Sequence, residues 1–535
     1  MTELLAIGPV LAALITGVLA LLTRSWPRLQ RVVTVAGTVG YACVVGLLCW
    51  EVVFASDAAR IVYQLGGWRA PFGITLVADG LSVFMLAMTG VVAVYAAVFS
   101  VRFIDEHNQQ VYYYPLFQFL LLGATGAFLT GDLFNLFVWF EVMLMTSYVF
   151  VAFYGNDSHT AAAMRYLVLN IVGSALMLLG VGGLYATTGT LNMADMARVL
   201  AADGAAMRPV VGVSALVFVT FALKGGLVPF QFWVPGAYRA APLPIVAMFV
   251  GVTKKVGIYA IIRLYFTIFG TATVPVDVPG VAGDTPLAFL APVLLVMAAL
   301  SIVVGGLGAL TRDSLEGLFA YSSIGQIGFI AVPIGIAAAT TSETLRKTGL
   351  LAGLIFALHH ALTKGLLFLG TGVIRDTTGT TQLSELGGLG DRSPAFASVF
   401  LVGTLSLAGI PPLAGFFGKF LVFDTAGRRF ASQTAGGFWA VAGASGILGI
   451  LLLGALLTIL YSTRAWIGAV WGEETGLVAG NSVDAGEVVI LATLSVLVIA
   501  VGVGFEPVYE FAEAAAESAL DTDGYIDAVL GGETG

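Results

Sequence analysis

Residues 131–150 read GDLFNLFVWFEVMLMTSYVF. Asp132 stands where a helix cap would, and from there to Tyr154 the run is apolar except for Asn135 and Glu141. About 20 apolar residues suffice to cross the hydrocarbon of a bilayer, so the stretch is long enough to span it. Glu141 then lies near mid-crossing with nothing adjacent in sequence to neutralise it; the nearest cation, Arg165, belongs to the next apolar run. An ionised side chain at that depth costs about 3 kcal/mol on insertion scales, so it needs a cation, a proton or water. The plain alternative is a structural group hydrogen-bonded between helices. Intramembrane carboxylates more often mark an ion path.

Composition places this span among many. The 535 residues are 58% hydrophobic and only 10% charged, with mean hydropathy +0.96. A soluble domain carries about 25% charged residues. The chain is a polytopic membrane protein. Its net charge of -8, partly from a Glu/Asp-rich tail after Pro507, argues against a nucleic-acid partner. Cys43 and Cys49 share one apolar run on different helix faces, which suggests neither a disulfide nor a metal site. His107 and His159 fall in loops and His359 and His360 are neighbours; no CxxC, dinucleotide fingerprint or P-loop occurs, so no bound cofactor is expected. The N-terminus lacks the basic flank of a signal peptide and reads as a retained span.

Apolar runs predict about fourteen spans: 4–22, 32–54, 78–101, 111–130, 132–154, 162–186, 209–230, 244–269, 286–310, 315–336, 348–373, 396–422, 436–462 and 486–505. The tail, 506–535, reads as an acidic, solvated surface helix. Loop arginines and lysines lean, ten against eight, toward an outside N-terminus. An even span count then puts the C-terminus outside too.

Of 24 basic residues only six are lysines: Lys224, Lys254, Lys255, Lys347, Lys364 and Lys419. All but Lys347 fall within or against apolar runs, while loops use arginine almost exclusively. Lysine can lose its proton when buried and arginine cannot, so a lysine row suits proton relay. Lys224 precedes Gly225, Gly226 and Pro229, which should break the seventh helix just after it. It is the expected partner of Glu141; a plain buried ion pair is the alternative. Lys254 and Lys255 sit about 100° apart on a helix, so one should line a path while the other snorkels or pairs elsewhere. His360 and Lys364 are i,i+4 neighbours on one face, with His359 beside them. Two adjacent histidines without a nearby carboxylate make a poor metal site. Lys419 follows Pro411, Pro412 and Gly415, which should break the twelfth helix. Two broken spans five apart suggest two related halves, spans four to eight and nine to thirteen. Gln326 would be a polar, non-titrating link between them.

Taken together, DLFNLFVWFEV, ALKGGLVPFQFWVPGAYRAAP, KVGIYAIIRLY, AYSSIGQIGF, HALTKGLLFLGTG and GIPPLAGFFGKF resemble the antiporter-like subunits shared by Mrp-type cation/proton antiporters, respiratory complex I and membrane-bound hydrogenases. DLFNLFVWFEVMLMTSYV most resembles the D-type subunits of the Mrp group. The resemblance implies an all-α fold of fourteen helices, two inverted five-helix repeats with broken seventh and twelfth helices. It divides the chain into 1–110, 111–270, 286–465, 486–505 and 506–535. Position by position, Glu141 and Lys224 match the family's Glu–Lys pair, Lys255 rather than Lys254 its central relay, Lys364 the continuation and Lys419 the terminal residue. Gln326 departs from the histidine of many complex I relatives, and Lys254 has no counterpart. The expected function is proton translocation within a multisubunit sodium/proton antiporter, with other membrane subunits, protons and a monovalent cation as partners and the cell membrane as location. A proton-pumping arm of a redox-driven complex is the runner-up, and a non-transporting scaffold the third reading.

Overall fold

The computed structural model describes residues 3–55, 60–109, 112–202, 207–270, 272, 285–434 and 437–531. Among these, eleven helices are long and apolar enough to cross a membrane, and three shorter apolar helices bring the set to the expected fourteen. In chain order we label α1 (Glu3–Leu22), α2 (Pro27–Ala55), α3 (Gly80–Phe103), α4 (Tyr113–Leu129), α5 (Leu133–Val151) and α6 (Asp157–Thr188). The seventh span is α7 (Met207–Gly225) and α8 (Trp233–Ala240), followed by α9 (Leu243–Ile268), α10 (Pro286–Leu310), α11 (Leu315–Ala338) and α12 (Glu343–Thr378). The twelfth is α13 (Pro394–Ala408) and α14 (Ala414–Gln433), then α15 (Phe438–Ala469) and α16 (Ala485–Val503).

Several helices begin or end beyond the apolar runs because polar side chains cap them. Asp79, Asp132, Asn156, Ser314, Ser342 and Asp484 each accept a backbone N–H of the first turn. Hydropathy alone does not see these caps. α9 is buried along its length and α11 and α12 nearly so, whereas α15 and α6 turn much of their surface outward. The helices that carry most of the lysines therefore form the interior.

The two halves repeat one another. Asp132 at the head of α5 bridges to Asn192, just past the end of α6; Ser314 at the head of α11 bridges to Gln382, just past the end of α12. Both helix ends read Thr-Thr-Gly-Thr, at 187–190 and 377–380. Gly189 and Gly379 both take left-handed backbone, and Thr188 and Thr378 each bond back into the preceding helix turn. Five crossings separate the two starts, so the second copy is inverted.

Two readings need correction. The helical bundle carries a small antiparallel hairpin, β1 (Arg60–Gln64) with β2 (Thr75–Asp79), Arg60 opposite Asp79; most of its residues lay in the loop before the predicted third span, and Ala78 and Asp79 lay at that span's start. The acidic tail is docked, not solvated. Its helix α17 (Phe505–Leu520) buries Ala512, Ala515, Ala516 and Ala519 against α3 and α12, and α18 (Thr522–Leu530) follows it. Thr267 donates to the Ala519 carbonyl at 2.8 Å, and Lys347 pairs with Glu513 at 2.9 Å and with Glu517. Small alanines let the helix seat closely while its carboxylates face out. Within α9, Arg263 is wholly buried.

Candidate functional site

The first break determines where Lys224 lies. Gly226 adopts φ 73°, and the Gly226 and Leu227 N–H groups close the end of α7 onto the Leu223 and Ala222 carbonyls at 3.0 and 3.1 Å. A β-carbon would strain that backbone. The indole Nε1 of Trp233, at the start of α8, donates to the Leu223 carbonyl at 2.8 Å, and the Val228 N–H donates to Ser301 of α10 at 2.9 Å. Side chains thus satisfy backbone groups that the break frees. Lys224, fully buried, donates to the Tyr166 hydroxyl at 2.9 Å and lies 5.4 Å from the ring centroids of both Tyr166 and Trp233.

Glu141 and Lys224 are not in contact. Glu141 accepts from Ser174 of α6 and lies at the edge of an outward face, with Val138 and Met145 exposed on either side. The two charges still feel each other, but Tyr166 takes the bond that Glu141 was expected to take.

At the centre, residues Phe249–Thr253 of α9 widen into a π turn. Lys255 donates to the Val250 carbonyl within that turn and lies 2.5 Å from His360 Nδ1 on α12. Lys254 donates to Ser323 Oγ of α11 at 3.1 Å and sits 5.8 Å from the Tyr238 ring. Neither lysine snorkels; both are fully buried. Lys254 feels the charge of Lys224, and Lys364 feels that of Lys254. The lysine without a counterpart fills the interval between the halves. A π turn is a common device at functional sites.

The second half continues the row. Lys364 donates to Ser322 Oγ and, at 3.2 Å, to the Phe319 carbonyl. The adjacent histidines face apart: His360 meets Lys255, while His359 Nδ1 lies 3.1 Å from Thr363 Oγ1 and 3.5 Å from Ser406 Oγ. Both leave Nε2 unpartnered. Lys419, past Pro411 and Pro412, reaches back across Gly409 (φ 88°) to donate to the Ala408 carbonyl at 2.7 Å. His359 feels the charges of Lys419, Lys255 and Lys364. The series is therefore Lys224, Lys254, then Lys255, His360 and Lys364, then His359 and Lys419. Among the described residues no group of three or more His, Cys, Asp or Glu is placed to hold a metal ion.

Residues 130–435 match the family described as NADH:quinone oxidoreductase/Mrp antiporter, TM. The D-type subunit of the Na(+)/H(+) antiporter of Alkalihalophilus pseudofirmus is 36% identical over 531 residues, covering 98% of this chain and 99% of that one. The chain belongs to this family. Solved structures agree with it over 99% of both chains: one from the Mrp complex of Dietzia sp. DQ12-45-1b has a TM-score of 0.85 at 27% identity. The other, from an archaeal membrane-bound sulfane sulfur reductase, has a TM-score of 0.84 at 28% identity.

Within this antiporter-like chain, Gln326 does not join the halves. Its Nε2 donates to Tyr461 at 2.8 Å and Thr458 at 3.2 Å on α15. Sequence reading also missed the hydroxyls that hold the lysines, Tyr166, Ser322 and Ser323. The repeated Thr-Thr-Gly-Thr would have exposed Ser174, which stands fourteen residues before Thr188 as Lys364 stands before Thr378. Arg263 was missed as well: it pairs with Asp79, the cap of α3, at 2.6 Å, with neither side chain reaching solvent.

Proposed function

We propose that the chain is the proton-translocating subunit of a multisubunit sodium/proton antiporter in the cell membrane, working with other membrane subunits. The observation that carries this is the interior set of five buried lysines and two buried histidines, held by hydroxyls and carbonyls instead of carboxylates. Like charges this close in a buried medium repel, so the groups share protons, and one arriving at an end displaces one further on. The unpartnered imidazole nitrogens between lysines give water a place to bridge them. Protons would pass from Lys224 through Lys254, Lys255 and Lys364 to Lys419, with Glu141 setting the charge state of Lys224 across Tyr166. Residues 111–270 and 286–465 are the two repeats, and both termini face outside. The D-type relative, named for a sodium/proton antiporter, supports this reading over the redox-driven one, to which the sulfane sulfur reductase likeness points.

The test is sodium-dependent proton exchange by the assembled complex in vesicles. Glu141→Ala and Lys224→Ala should each abolish it while the complex still assembles. Full exchange by either variant rejects the reading.

A further inference from the structure

On the face where α5 ends and α6 begins, a cleft of about 660 Å³ opens, lined by Ser158, His159, Arg165, Gln231, Arg239 and Tyr321 among others. Arg165 and Arg239 are both exposed and, among the described residues, neither is in an ion pair. A third guanidinium, Arg312, stacks on the Tyr321 ring at 4.7 Å. Gln231 is buried at the cleft floor and its Oε1 has no partner. The site is therefore cationic and polar with an unused buried acceptor.

Its walls are of another kind. Phe232 at the rim is 69% exposed, Met164 and Val168 face outward from α6 beside Arg165, and Leu300 and Leu307 face outward from α10 on either side of the wall residue Val304. Apolar surface on two membrane-crossing helices thus runs up to a pocket of arginines. A free anion would use the arginines and leave these gutters idle. An amphiphile with an anionic head uses both.

We propose that this cleft seats the phosphodiester headgroup of an anionic phospholipid, with Arg165 and Arg239 gripping the phosphate and its acyl chains lying along α6 and α10. Guanidinium forks match phosphate geometry, and basic pockets between membrane helices are known seats for such heads. Gln231 Oε1 accepts from a hydroxyl or amine of the headgroup. Trp233 separates the cleft from Lys224, so a bound phosphate places negative charge near the first relay lysine. This inference does not rest on the proton path, only on the membrane setting.

The experiment uses the assembled complex purified in mild detergent from membranes. Native mass spectrometry and extracted-lipid analysis count anionic phospholipid in wild type, in Arg165→Gln/Arg239→Gln, and in Arg69→Gln as an exposed control on the opposite face. The double variant should lose at least one anionic lipid per complex that wild type and control retain, and should not regain it from phosphatidylglycerol vesicles. Equal lipid content in all three overturns the proposal. So does loss of a partner subunit from the double variant, because the arginines would then be meeting a protein carboxylate. Saturable binding of inorganic phosphate with an unchanged lipid count also overturns it, assigning the cleft to a free anion.

Discussion

The two halves of the chain place different chemistry at equivalent positions. Eight residues on from Leu133 stands Glu141; eight on from Leu315 stands Ser323. Facing them, Ser174 in the first half answers to Lys364 in the second. The first half thus sets an acid against a serine, and the second a serine against a base. Ser174 donates to Glu141, while Lys364 donates to Ser322, leaving Ser323 free to hold Lys254 from the first half. The broken helices differ in the same way. At each break a later side chain donates to a carbonyl of the helix end, Trp233 to Leu223 and Lys419 to Ala408. Only the second cap carries charge. The repeated scaffold thus carries an acidic end and a basic end, and on the proposed proton path that asymmetry would set the two ends apart.

The comparison breaks most visibly at Lys364. Lys364→Ser installs the residue of the first half and removes a central relay group, at a site where hydroxyls already fill the neighbourhood. Sodium-dependent proton exchange in vesicles should fall by about 100-fold, the low end of what a positioned proton-transfer group contributes. The complex should still assemble. Exchange near the wild-type rate would mean that the second half conducts without its lysine.

The halves also differ in anchorage. Asp79 and Arg263 form an ion pair at the end of the first half that is wholly buried, and Tyr525 of the docked tail lies 5.0 Å from the guanidinium by ring centroid. Among the described residues no ion pair of the second half is as buried. Arg263→Ala leaves a buried carboxylate alone and should cost about 3–5 kcal/mol, read as a lowered thermal transition and poor recovery of the complex. Burial opposes the charge on Asp79, but Arg263 and the Ser82 N–H outweigh it and hold its carboxyl below the usual range. A depressed folded value means that this stability is present above the unfolded pKa and is lost as pH falls through the folded one. Wild type should therefore lose it only below about pH 4, whereas the variant is already weakened at neutral pH.

If the breaks are equivalent, they should respond alike to a methyl group. Gly226→Ala and Gly409→Ala each place a β-carbon on left-handed backbone, at about 1–2 kcal/mol. The first would meet Val234 Cγ2 at 2.9 Å and Lys254 Cε at 3.1 Å, and the second Lys419 Cδ at 2.7 Å. Each should displace a relay lysine and slow exchange several-fold. A silent Gly409→Ala beside a damaging Gly226→Ala would show that the second break positions nothing.

Some of this was legible and some was not, for physical reasons. Apolar length fixes the spans, Gly225, Gly226 and Pro411–Pro412 fix the breaks, and the confinement of lysine to apolar runs marks the row, since all three act locally along the chain. That Tyr166 takes Lys224 depends on how α6 packs against α7. That Lys254 and Lys255 both serve the interior depends on α9 being enclosed on every side, so each lysine finds a different neighbour, α11 or α12. Arg263 was missed because its partner lies 184 residues upstream. The tail looked solvated because its charges outnumber the alanines that dock it. The Thr-Thr-Gly-Thr repeat was present in the sequence, but four residues are too short to weigh without the turns they form.

The smallest expected effect separates cap from relay. Trp233→Phe removes the bond to the Leu223 carbonyl but keeps a ring over Lys224. Lys419→Met removes the bond to the Ala408 carbonyl and the amine together. In Trp233→Phe the Leu223 carbonyl keeps the Gly226 N–H, whereas Lys419→Met takes the amine from the Ala408 carbonyl. An unsatisfied acceptor costs about 1–3 kcal/mol, so the thermal transition of the complex should fall more in Lys419→Met. Exchange should stay close to wild type in Trp233→Phe and collapse in Lys419→Met. That split would assign the indole to holding the break and the amine to both holding it and conducting. Equal loss of exchange in the two would instead make the cap itself the conducting requirement, and the charge on the second break would no longer distinguish the halves.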